Sequence, residues 1–380
     1  MKNNMTFEDI RPYFDEEIPS AMNRIANDNF FPILASYVFP DAPLETVRQQ
    51  IKSINSIRSF QSAIMTEMNK QIIDKTMTNF TYSGLENIDS KKSYLFIANH
   101  RDIVMDSSLM QYVLFTNGLE TSEITFGANL MQNQLIIDIG KSNKMFKVER
   151  PSSNIKEFYK SSLKLSEYIR YTICEKEHSV WIAQRNGRTK DGMDLTDQGI
   201  IKMFGMSNKT DQVQALADLN ILPVSISYEW EPCDILKALE LYQKKDGQAY
   251  AKKPGEDITS ILTGMTQFKG RVHLEFCKPL KYDEINDCLI HNSCDFNKLV
   301  ASLIDSRIQS SYCLYPNNYI AYDMLHQTCI YSHFYSRKEY LDFVRHLKEL
   351  NKYSEDLEMD ILLDIFLRIY ANPLNYQKND

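Results

Sequence analysis

The sequence predicts an α/β fold: a mixed sheet flanked by helices, with a helical N-terminal subdomain and a helical C-terminal region. Three observations carry this prediction. Short apolar runs alternate with longer helical stretches through the middle of the chain, the pattern of a sheet covered by helices. The residues before Phe80 hold no strong strand signal. Beyond about Asp283 the periodic stretches have helical spacing. The chain is therefore divided into residues 1–79 (helical subdomain), 80–282 (α/β domain) and 283–380 (helical region packed on it).

The elements follow in order. Ile18 to Val38 and Leu44 to Met77 are apolar-periodic, and Pro40 and Pro43 separate them. At Phe80 the pattern changes, and FTYSGLENI reads as an edge strand and a turn. SYLFIAN (Ser93 to Asn99) is a short apolar run of the kind a buried strand makes. SSLMQYVLF reads as a helix, EITFGAN as a strand, LMQNQLIIDI as a helix and KMFKV as a strand. Ser153 is the expected cap of a long helix through Ile173. HSVWIA is the next strand, GIIKMF a helix, and ILPVSISY a strand from Ile221. The polar AYAKKPGED segment is an exposed loop, ITSILTGMTQF a helix and RVHLEFCKPL the last strand. Ser336 to Leu350 and Glu355 to Tyr370 are amphipathic helical stretches. No internal repeat or low-complexity tract interrupts them.

The composition narrows the function. Of 380 residues 43% are hydrophobic, enough for a sizeable core, and 22 tyrosines and 19 phenylalanines argue against disorder. The net charge of −7 makes non-specific nucleic-acid binding a poor fit, since such binding neutralises phosphates. The N-terminus, MKNNMTFEDIRPYFDEEIP, has no apolar core of a secretory signal, and no run approaches about 20 apolar residues. Seven scattered cysteines suit a reducing compartment. Cys288, His291 and Cys294 form one C-x-x-H-x-x-C run, but with no second pair it reads as ordinary helix or loop, and no metal is expected.

Three segments carry candidate chemistry. Asn99-His100-Arg101-Asp102-Ile103-Val104-Met105-Asp106 falls where a buried strand ends and a helix begins, the place where open α/β sheets bind ligands. A histidine there can take a proton near neutral pH, and a carboxylate on its far nitrogen would fix the tautomer. The plain alternative is a strand-end histidine with Asp106 capping the helix. Phe146-Lys147-Val148-Glu149-Arg150 puts Arg150 after a short strand. Trp181 to Gly192 runs from a strand into a loop with Arg185, Gly187, Arg188, Lys190 and Gly192. Glycine lets the backbone approach an anion and guanidinium forks match phosphate, so this loop suits a phosphate or is a solvated basic turn.

Taken in order, these segments resemble the glycerol-phosphate and lysophosphatidate acyltransferase family. Gly84-Leu85-Glu86-Asn87 followed by LFIANH resembles its first motif, and MFKVER (Met145 to Arg150) its second. Trp181-Ile182-Ala183 with Gly187-Arg188 resembles the third motif of the soluble plastid-type glycerol-3-phosphate acyltransferases. ILPVSISY, with Pro223, resembles the fourth. The resemblance covers roughly residues 80–280. It implies that His100 deprotonates an acceptor hydroxyl, which then attacks an acyl thioester on acyl carrier protein or coenzyme A. It implies substrate contacts from Arg101, Lys147, Arg150, Arg185, Gly187, Arg188 and Lys190. No cofactor beyond the thioester substrate is implied. Two departures stand out. His100 and Asp106 have five residues between them where the family has four, which on a helix turns a side chain by about 100°. Asp106, or alternatively Asp102, is then the partner of His100. The family's third-motif glutamate has no clear match, with Ala183, Gln184 or Asn186 in its place.

The expected acceptor is glycerol 3-phosphate or lysophosphatidate, with a lyso-aminolipid or a degenerate lipid-binding role as alternatives. No G-x-S-x-G elbow points to a hydrolase. A lipid substrate implies a cytoplasmic protein reaching the inner face of the membrane from the water side. Asn29–Val38 and Leu357–Tyr370 are candidate amphipathic contacts, although such faces ordinarily pack into the core.

Overall fold

The computed structural model describes residues 7–131, 133–149, 154–208, 210–245, 247, 250, 252–253, 255–353, 355 and 357–379. Among these residues, seven strands form one sheet: β1 (Met77–Ser83), β2 (Leu95–Ala98), β3 (Glu123–Gly127), β4 (Met145–Val148), β5 (Val180–Ala183), β6 (Ile221–Tyr228) and β7 (Gly270–Phe276). Their order is β1-β7-β6-β2-β5-β3-β4. Every neighbouring pair is parallel except β6 and β7. The mixed α/β sheet expected from the sequence is present, with FTYS at an edge.

Helices α1 (Ile18–Asn27), α2 (Phe31–Val38), α3 (Leu44–Ser53), α4 (Ile57–Phe60) and α5 (Thr66–Thr76) precede the sheet. Helices α6 (Met105–Thr116), α7 (Gln134–Ser142), α8 (Ile155–Cys174), α9 (Gln198–Gly205), α10 (Gln212–Ala217), α11 (Asp234–Gln243) and α12 (Glu256–Thr266) connect its strands. Helices α13 (Tyr282–His291), α14 (Phe296–Ser310), α15 (Pro316–His326), α16 (Arg337–Leu347) and α17 (Met359–Ala371) follow it. The two apolar N-terminal stretches are each broken. Asp28 accepts a hydrogen bond from Phe30 N at 2.8 Å, a local turn that competes with the helix, and Pro32 opens α2. Ser56 and Ser59 form a capping box that restarts the chain at α4. The cap of α8 is Asn154, whose side chain accepts from Lys156 N and Glu157 N. The expected cap, Ser153, lies outside the described residues.

Side chains alternate across the sheet as a two-residue period requires. Leu95, Ile97, Val180, Ile182 and Ile221 face one core, shared with α8, α9, α13 and α14. Phe96, Ala98, Trp181, Leu222 and Val224 face the other, shared with α6. The N-terminal helices pack their own apolar cluster against Leu135 and Ile139 of α7. α17 buries Leu362, Phe366, Leu367 and Ile369 in a fourth cluster with α15 and α16, so the stretch Leu357–Tyr370 is core and not a membrane contact. Cys288 lies in α13, its thiol bonded to Glu284 O, and Cys294 is exposed in a turn. Among the described residues, no three His, Cys, Asp or Glu side chains come together as a metal site.

A charged contact ties the C-terminal helices to the start of α11. His346 Nε2 on α16 lies 2.6 Å from Asp234 Oδ2, and Tyr370 donates to the same oxygen at 2.6 Å. Burial pulls the imidazole pKa down, but Asp234 outweighs it and the net shift is upward. A raised folded pKa means that the pair's contribution is complete below about pH 6.5 and is lost as pH climbs through the folded value. Replacing His346 by Ala should therefore lower the unfolding temperature more at pH 6 than at pH 9; an equal loss at both would show that the imidazole contributes packing alone.

Candidate active site

The site grows from the end of β2. Parallel pairing of β2 with β6 stops at Ala98 and Val224, yet β6 continues to Tyr228. The side chain of Asn99 carries the pairing one step further. Its Nδ2 donates to Ile226 O at 3.0 Å, and its Oδ1 accepts from Ile226 N at 2.8 Å. A side-chain amide can satisfy both backbone groups of one residue, and this fixes the chain just before His100.

His100 is mostly buried, with 14% of its side chain exposed. Its Nδ1 lies 2.9 Å from Asp106 Oδ2. A carboxylate only accepts, so the neutral ring carries its proton on Nδ1 and keeps a lone pair on Nε2. No described residue hydrogen-bonds Nε2. The ring meets Trp181 edge-on, with centroids 5.8 Å apart, and His100 O accepts from Thr189 N at 2.7 Å.

Asp106 is at the second position of α6 and is 2% exposed. Besides His100, its Oδ2 accepts from Arg101 N at 2.7 Å and Asp102 N at 2.9 Å. Its Oδ1 accepts from Tyr228 OH at 2.8 Å. The five-residue gap is absorbed here. Residues 101–104 form a bend before α6 begins, and two of its N–H groups close on Asp106. The additional residue lengthens the turn, so Asp106 is not rotated away.

Asp102, the alternative partner, does not reach His100. Its Oδ1 accepts from Val104 N at 2.9 Å and Met105 N at 2.8 Å, so it caps α6. Its Oδ2 abuts Gly264 of α12, where an added Cβ would stand 2.0 Å away. A side chain at position 264 would have to displace the Asp102 carboxylate.

Arg101 is likewise turned inward, contrary to its expected role as a substrate contact. It is fully buried, its Nη2 and Nε bonded to Asp194 and its Nη1 to Glu231. Lys237 bridges Glu231 and Arg101 O. The four side chains carry two positive and two negative groups, as a buried cluster requires. Asp194, Glu231 and Lys237 were not singled out in the sequence. The signal available was two acids, Glu229 and Glu231, directly after a strand, and a third after Gly192.

The third-motif loop lies beside this cluster. Gln184 N continues the ladder to Ala98 O at 2.8 Å. Gly192 has φ +80°, and an added Cβ would stand 2.3 Å from Ile369 O, so the loop is held against the end of α17. Gly187 also takes a left-handed φ of +78°, in open space. Lys190 is paired with Glu240; burial drives its amine down to about 8 against the pull of that carboxylate. Lys147 pairs with Glu149 at 2.7 Å. Arg185 is half-buried. Arg188 stands beside the Cys233 thiol with Nη1 buried and without a partner among the described residues. Gln184 Oε1 and Nε2 and Thr189 Oγ1 are also buried and unpartnered. Buried polar groups normally have partners, and these three residues belong to the loop whose Thr189 N bonds His100 O. Arg150 lies outside the described residues.

The chain was compared with known proteins. Residues 79–227 match the family model described as Acyltransferase. Among solved structures, the chain is similar to the 1-acyl-sn-glycerophosphate (LPA) acyltransferase, PlsC, from Thermotoga maritima. The identity is 13%, the TM-score 0.38, and the match covers 77% of this chain and 94% of that one. No curated protein matches the sequence.

The geometry around His100 makes a test independent of any activity. In Asp106→Asn the downfield Nδ1–H proton signal of His100 should shift or vanish. In Asp102→Ala that signal should persist while stability falls by about 1 kcal/mol through the lost cap. Loss of the signal in Asp102→Ala alone would reverse the two assignments.

Proposed function

We propose that the protein moves a fatty acyl group from an acyl thioester to a hydroxyl of glycerol 3-phosphate or lysophosphatidate, in phospholipid synthesis, with His100 as general base; the match of residues 79–227 to the Acyltransferase family model supports this reading. The observation that carries the proposal is the His100–Asp106 pair, which leaves Nε2 as the free basic atom at the end of a central strand. The acceptor hydroxyl gives its proton to Nε2 as its oxygen bonds to the thioester carbonyl carbon. The tetrahedral intermediate then expels the thiolate, which takes the proton back from the imidazolium. Asp106 stabilises the imidazolium while it exists. The thiol leaves on acyl carrier protein or coenzyme A, and no acyl-enzyme forms.

Arg188 supports an anionic acceptor in this reading, because its Nη1 has no partner among the described residues. Arg150 joins it in the proposal by its place after β4. Arg101, Lys147 and Lys190 are already neutralised by acids. This smaller set of free cations favours, as a second reading, a lyso-aminolipid acceptor whose head group carries less negative charge. A degenerate role without turnover is disfavoured by the intact His100–Asp106 contact.

Among the described residues no helix is long and apolar enough to cross a membrane. We place lipid access on α2. Residues 30–40 carry no charge, and Phe30 and Ile33 are 63% and 64% exposed. Exposed apolar side chains on an uncharged helix fit a peripheral contact with the inner face of the membrane.

Radiolabelled palmitoyl carrier protein and palmitoyl coenzyme A, each offered glycerol 3-phosphate, lysophosphatidate and a lyso-aminolipid, test the reading. One acceptor should yield labelled product. Arg188→Ala should raise the Michaelis constant for a phosphate acceptor about tenfold or more while leaving that for the donor unchanged. Release of fatty acid without any acceptor would show a thioesterase and sink the proposal. Ile33→Glu should abolish co-flotation with anionic vesicles; undiminished flotation would move the membrane contact off α2.

A further inference from the structure

Strand β6 contributes more to the site than a wall. Tyr228, its last residue, is 1% exposed and donates its hydroxyl to Asp106 Oδ1 at 2.8 Å. Among the described residues it is the sole donor to that oxygen, whereas Oδ2 is shared by His100, Arg101 N and Asp102 N. Tyr228 is itself fixed. It pairs with Val272 of β7 in the antiparallel ladder, and Asn99 anchors Ile226 two residues earlier.

We infer that Tyr228 is a positioning residue for the reaction, acting through Asp106 to set both the orientation and the basicity of His100. This rests on the reading of His100 as general base. The chemistry is as follows. A carboxylate buried at this depth needs a donor on each oxygen, or its charge is poorly stabilised. With the phenol present, the charge of Asp106 is held on both oxygens and only part of it is offered to His100. Without the phenol, Oδ1 is left buried and bare. The carboxylate becomes more basic, draws the Nδ1 proton more strongly and is free to turn about χ2. Phenylalanine keeps the ring's packing and removes only the hydroxyl. Burial, followed by the neighbouring Asp106, pushes the Tyr228 phenol well above the ordinary tyrosine range, so it remains a donor across the working pH.

Among the described residues Asp106 is the charged group that the Tyr228 hydroxyl bonds; Asp102 and Glu231 act on the phenol through their charge, and Asp102 is directed to the α6 cap and Gly264. Glu231 of the buried charge cluster adds to the upward push on the phenol, but Tyr228 makes no hydrogen bond to that cluster among the described residues, and its removal does not unpair Arg101.

The test is Tyr228→Phe, followed by two readouts. In steady-state transfer, kcat should fall about tenfold with both Michaelis constants within about twofold, and the acid limb of the kcat–pH profile should move up by about half a pH unit. In proton NMR without substrate, the downfield His100 Nδ1–H signal should shift while the rest of the amide spectrum is retained. Site-specific 3-fluorotyrosine at position 228, a stronger donor with the same packing, should move the acid limb and the NMR signal the opposite way, and it decides the question if the phenylalanine variant does not fold. A kcat–pH profile and a Nδ1–H signal both superimposable on the wild type would overturn the inference. If the wild type transfers no acyl group to any acceptor, the kinetic readout fails with the proposed function, but the NMR signal still reports whether Tyr228 governs His100.

Discussion

The buried carboxylate of Asp106 is the constraint on which the site depends. A desolvated charge must be met by donors, and here they come from four places: an imidazole, two peptide N–H groups of the bend and a tyrosine on β6. Because three donors come from residues 100–102 and the fourth from the end of β6, satisfying one carboxylate fixes the end of β2, the bend, the start of α6 and the end of β6 together. His100 is thus held by the same interaction that shapes its loop. Asn99 adds the remaining restraint by pairing with Ile226 where the strand itself has ended.

Behind this carboxylate, the Arg101–Asp194–Glu231–Lys237 cluster joins the loop after β2 to the loop after β5. Buried ion pairs add little net stability, but leaving one member unpaired costs several kcal/mol, so such a cluster enforces one arrangement of the loops that carry it. The helices after the sheet take part. Tyr376 donates to Gly192 O and accepts from Asp194 N, and Tyr370 OH accepts from Glu231 N. The Arg101 guanidinium sits 5.1 Å above the Tyr312 ring. The C-terminal region therefore supports the site from the rear.

Much of this was legible in the sequence, for identifiable reasons. All seven strands were visible because buried strands such as LFIA and VWIA are short apolar runs between turn residues. The strand-to-helix position of His100 and Asp106 followed from the same pattern. What could not be read was the direction a side chain takes. Arg101 and Arg188 look alike in sequence, yet one is neutralised in the interior and the other has a nitrogen without a partner among the described residues. Lys190 likewise looked available until Glu240, fifty positions away, was seen beside it. The five-residue gap could not be resolved because its effect depends on whether the additional residue enters the helix or the bend. Tyr228 reads as one more aromatic at a strand end, and only the longer reach of β6 past β2 brings it to Asp106.

The central claim is that His100 is the base for direct acyl transfer. The most direct measurement is the turnover of His100→Ala beside the wild type, with the same thioester and acceptor and with unfolding temperatures recorded for both. The account predicts a loss of at least about 10²-fold at an unchanged unfolding temperature. Turnover within about twofold of the wild type would contradict it and remove His100 from the mechanism.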